Sequence, residues 1–165
     1  MQATTQMSAP RPVRRAAAGA SSFSPSIAAW FRLAAVYLVV AVALGIAMGA
    51  SGNFALRPVH AHVGLLGWTG LALAGLIYRA FPEAGASRLA AVHFWLFNLA
   101  LPPMMGALAA LLLGHPQALP VLVGSQFVVA AGVLAFVANV FLNVGSAPRD
   151  SAHAAGAAAI EVEAR

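Results

Sequence analysis

Residues 57–82 read RPVHAHVGLLGWTGLALAGLIYRAFP, and this stretch decides the fold. From His62 to Tyr78 no charged residue interrupts the apolar run, and Arg79 with Phe81-Pro82 closes it. Such a run approaches the ~20 residues that cross a ~30 Å hydrocarbon core. Three further stretches, at about 31–50, 89–114 and 119–143, read the same way. The breaks between them carry turn chemistry: Ser51-Gly52-Asn53 with Pro58, Pro82-Glu83-Ala84-Gly85, and Gly114-His115-Pro116. Because the connections are short, neighbouring helices pack antiparallel. The expected architecture is all-α, an integral membrane antiparallel four-helix bundle over residues 27–145, embedded in a lipid bilayer. Flanking it, residues 1–26 read as a disordered basic cytoplasmic tail and residues 146–165 as an Ala-rich cytoplasmic tail.

Composition agrees with the spans. The chain is 61% hydrophobic and 8% charged, against roughly 45–50% apolar and 25% charged in soluble domains. A soluble globular domain is excluded. Nine basic residues against four acids are all arginines, so the high isoelectric point comes from arginine alone and reads as membrane topology rather than nucleic-acid binding. Short cytoplasmic loops retain positive charge. With the N-terminus inside, Arg11, Arg14, Arg15, Arg32, Arg79, Arg88, Arg149 and Arg165 share the inner face, and Arg57 stands alone outside. Both termini are therefore expected in the cytoplasm. The alternative, a cleaved signal peptide over 1–49 ending near Ala47-Met48-Gly49, requires an apolar core longer than the usual 7–15 residues. Zero cysteines exclude disulfides, thiolate zinc sites and iron–sulfur clusters, leaving histidine as the main metal ligand.

Polar groups at membrane depth are costly and mark candidate sites. Here they are His60, His62, His93, Asn98, Gln126 and Asn139. On an α-helix His60, Gly64 and Gly67 fall at i, i+4 and i+7, so a histidine stands above a strip without side-chain bulk. That strip can accept a flat macrocycle, or it can let two helices approach closely. His60 and His62 at i and i+2 point about 200° apart on a helix and cannot chelate one ion. In the third span Pro102 and Pro103 each deprive a carbonyl four residues back of its donor, which predicts a kink with room beside it. Met104 and Met105 follow as packing material or soft ligands. His93 reads as a histidine bridging to a neighbouring helix. Gly45-x-x-x-Gly49 and the Gly64, Gly67, Gly70 stripe are the expected surfaces of a homo-oligomer.

The segment Arg57 to Trp68, continuing through Gly75-Leu76-Ile77-Tyr78-Arg79-Ala80-Phe81-Pro82 and His93-Phe94-Trp95, resembles the second and third helices of subunit I of the heme–copper oxidases. It is most similar to the C-family cytochrome oxidases, the bacterial nitric oxide reductases and their short stand-alone four-helix relatives. The likeness spans roughly residues 57–97. It implies a bacterial inner-membrane protein with His60 in the position of an axial ligand of a low-spin heme b, near the outer side. His62 falls where the reductases carry asparagine, which implies no ligand role. The family's subunit I has about twelve helices, and its other heme and copper ligands lie on helices this chain lacks. Reduction of oxygen or nitric oxide by this chain is therefore not expected.

Three functions follow. The first is a small b-type cytochrome that moves electrons or handles heme through His60. The second is a heme-free accessory or assembly module for respiratory-complex subunits. The third is a transporter-like or metal-handling protein using His60, His62 and His115. For the first, the second axial ligand is expected from His115 at the same end of the bundle or from another copy, because His93 lies about 22 Å deeper by helical rise.

Overall fold

The computed structural model describes residues 25–145. The expected tails lie outside that range apart from Pro25 and Ser26. Four helices are long and apolar enough to cross a membrane: α1 (Ile27–Ser51), α2 (Arg57–Ala80), α3 (Arg88–Leu112) and α4 (Leu119–Asn143). The described residues contain no strand. The all-α bundle expected from the apolar runs is therefore present.

Local chemistry sets the helix ends. The Ser26 hydroxyl accepts from the Ala29 amide at 3.3 Å, and the Ser87 hydroxyl from the Ala90 amide at 3.1 Å. Each satisfies a first-turn N–H that has no partner inside its helix. Gly52 at φ 64° closes α1 in the left-handed conformation that glycine adopts without steric cost. Pro58 lies in the first turn of α2, where a missing N–H costs nothing, so the helix begins at Arg57 rather than near residue 62. His60 and His62 consequently sit on helix and point apart.

Within α2 the ladder changes. Val63–Gly70 is π-helical, with i→i+5 hydrogen bonds that widen the turn while keeping backbone groups paired inside the helix, as lipid requires. Residues at i+4 and i+7 then no longer stack, and the His60, Gly64, Gly67 strip is not one continuous face.

Lipid provides no hydrophobic drive between helices, so close packing and hydrogen bonds hold them. α1 and α2 form one antiparallel hairpin and α3 and α4 another. A Cβ on Gly67 would lie 2.5 Å from Tyr37 Cγ, one on Gly75 3.0 Å from Trp30 Cβ, and one on Gly132 3.2 Å from the Phe97 backbone nitrogen. These glycines are contact points inside the chain. The hairpins join where α1 begins: Trp30 packs its ring 5.2 Å from Tyr78, 5.0 Å from His93 and 4.8 Å from Phe94. Phe136 of α4 closes the cluster 5.0 Å from His93. α3 runs through Pro102 and Pro103 as one helix, and Met104 and Met105 are buried in the core.

Candidate functional site

The structure separates the histidines into two ends. At one, His60 leaves α2 toward α1, and its Nδ1 lies 2.9 Å from the Ala41 carbonyl oxygen. A carbonyl only accepts, so Nδ1 donates, and in the neutral ring Nε2 keeps the lone pair. That is the tautomer a histidine presents to a metal, with the opposite nitrogen anchored on a carbonyl. Gly45 supplies the seat: a Cβ there would stand 3.2 Å from His60 Cε1. The ring is thus fixed by a neighbouring helix and remains half-buried.

His62 is exposed and donates from Nδ1 to Pro58 of its own helix at 2.7 Å. It shares the tautomer but has no anchor on a second helix. His115 is exposed in the α3–α4 connection, where the Gln117 carboxamide nitrogen lies 3.4 Å from its Nδ1. That nitrogen donates, so His115 Nδ1 accepts and the proton of the neutral ring is on Nε2, opposite to His60. No hydrogen bond or ring contact joins His115 to His60; each ring is held by its own partner, Ala41 for His60 and Gln117 for His115.

The glycine strip also departs from expectation. Gly64 has open space where its Cβ would be, whereas Gly67 is covered by the Tyr37 ring. Gly67 is therefore a packing residue and not part of an open cofactor face, because the π-helical turn directs it into α1. Gly45 is likewise taken up within the chain, by His60. A cavity of about 130 Å³ opens at this end between Leu44, Met48, Ser51, Leu56 and Leu113. Ligand pockets for drug-sized molecules are roughly 300–1,000 Å³, so it does not enclose a macrocycle. The residues fit one axial ligation at the bundle surface.

At the other end His93 is buried, with Nδ1 3.1 Å from the Tyr78 hydroxyl. It bridges two helices, as expected. Asn139, fully buried in α4, accepts from Ser87 Oγ at 2.8 Å and from Asn143 Nδ2 at 2.7 Å, and donates to the Ala84 carbonyl at 3.0 Å. This network ties the α2–α3 connection to α4. Asn98 donates from Nδ2 to the Phe94 carbonyl at 2.8 Å, while its buried Oδ1 has no partner. Tyr78 as the partner of His93, and Ala41 with Gly45 as the seat of His60, were not anticipated. The available signal for Tyr78 was its place close to the same loop that precedes His93.

Among the described residues no group of three or more His, Cys, Asp or Glu is placed to hold a metal ion. Comparison with protein-family models, curated proteins and solved structures returned no match for this chain.

Proposed function

We propose that the chain is a small b-type heme protein of the bacterial inner membrane, with His60 as axial ligand near the outer face and both termini in the cytoplasm. The observation that carries this reading is the 2.9 Å contact of His60 Nδ1 with the Ala41 carbonyl, which leaves Nε2 free. The likeness of residues 57–97 to heme–copper oxidase subunit I supports it, and the distribution of the nine arginines supports the orientation. A heme bound there would supply a one-electron redox couple. The chain's own part would be to fix the ring through Ala41, to turn Nε2 away from that anchor and to leave space at Gly64. A second ligand would come from His115 or from a histidine of another copy of the chain.

The cover of Tyr37 over Gly67 favours a second reading, a heme-free accessory module whose glycines serve packing alone. A titration of hemin into the purified full-length chain, followed by absorbance, separates the two. The first reading predicts a saturable Soret shift that His60→Ala abolishes; equal binding by parent and variant, or none by a folded parent, supports the second.

A further inference from the structure

Of the four polar side chains of α4, three are satisfied. Ser125 donates to the carbonyls of Val121 and Leu122 at 2.6 and 3.0 Å, and Asn139 and Asn143 belong to the network above. The fourth, Gln126, is exposed and makes no hydrogen bond to another of the described residues. It lies seven residues into α4, about 10 Å from the helix start at 1.5 Å per residue, on a face that a bilayer would bathe. Around it that face is apolar, with Val133 and Val137 following at helical spacing and each about 40% exposed. A carboxamide without a partner is disfavoured in hydrocarbon, and α4 offers it no carbonyl in the way it serves Ser125.

We infer that Gln126 marks a two-fold interface through which α4 of one chain packs against α4 of a second copy. A second copy is the occupant that the chemistry selects. A carboxamide carries one acceptor and two donors, so two Gln126 side chains related by a two-fold axis satisfy each other reciprocally. Copies inserted in the same orientation bring identical residues of α4 together, placing Val133 beside the partner's Val133. Of the glycines expected to mediate self-association, Gly45 is taken up by His60 and Gly67 by Tyr37 inside the chain, while Gly49 and Gly64 stand open; α4 adds to an exposed apolar face the exposed carboxamide of Gln126. This inference is independent of heme binding.

The chain has no cysteine, so single cysteines report the interface directly. Val133→Cys in native membranes is expected to form a disulfide-linked dimer on mild oxidation, while Val39→Cys, exposed on α1, stays monomeric. Energy transfer between donor- and acceptor-labelled chains in vesicles gives the association constant. Gln126→Leu is expected to weaken it by about tenfold, the scale of two interhelical hydrogen bonds, and Gln126→Asn to keep most of it. Monomeric parent at every protein-to-lipid ratio, unchanged association in Gln126→Leu, or cross-linking through Val39→Cys instead of Val133→Cys overturns the proposal.

Discussion

A histidine ring is a ligand or a strut according to where its proton resides, and three rings here are resolved by their partners. The acceptor-only carbonyl of Ala41 places the proton of His60 on Nδ1, and Pro58 does the same for His62. The carboxamide of Gln117 places that of His115 on Nε2. Side-chain nitrogen-15 spectra of histidine-labelled protein are expected to show the neutral forms divided in this way, with His60 and His62 protonated at Nδ1 and His115 at Nε2. An Nε2-protonated His60 would remove the basis for a ligand role. His60 was legible in the sequence as a polar group at membrane depth above Gly64. Its hydrogen bond was not, since Ala41 is 19 residues away on another helix and the contact uses a backbone atom that any residue would supply.

The four spans were legible because hydropathy is a property of each segment alone, and the helices fall within a few residues of the apolar runs. What escaped is whatever depends on register between helices. The π-helical stretch Val63–Gly70 shifts the phase of α2, so that Gly67 meets Tyr37 instead of continuing a strip below His60. A side chain at residue 67 has no room: Gly67→Ala is expected to destabilise the purified protein by about 1–3 kcal/mol in a reversible detergent-denaturation assay, the usual cost of overpacking. Tyr37→Ala in the same chain removes the obstructing ring, so the double variant should lose less than the sum of the single losses. Additive losses would mean that Tyr37 does not occupy the Gly67 seat. The Asn139 network shows a related limit. A lone asparagine near the end of an apolar run looks like a cost until Ser87 and Ala84, more than fifty residues away, join Asn143 one turn on in surrounding it.

For the molecule as a whole, the two ends differ in kind. The end that holds Trp30, Tyr78, His93 and Phe136 is closed, with Tyr78 hydrogen-bonded to His93 and its rings in contact, whereas the His60 end has a small cavity, an uncovered Gly64 and exposed histidines. Arg32, Arg79 and Arg88 stand at the closed end and Arg57 at the other, so the proposed orientation puts the closed end in the cytoplasm. In intact cells an impermeant thiol reagent is therefore expected to label Asn53→Cys and to spare Ala86→Cys, both exposed positions; the reverse pattern would invert the bundle. The central claim is that the open end carries a heme through His60. Its most direct test is the reduced-minus-oxidised absorption spectrum of full-length protein purified from heme-replete cells, taken for the parent, His60→Ala and His93→Phe. The account predicts sharp reduced bands in the parent and in His93→Phe and none in His60→Ala; bands retained by His60→Ala, or a folded parent without them, would contradict it.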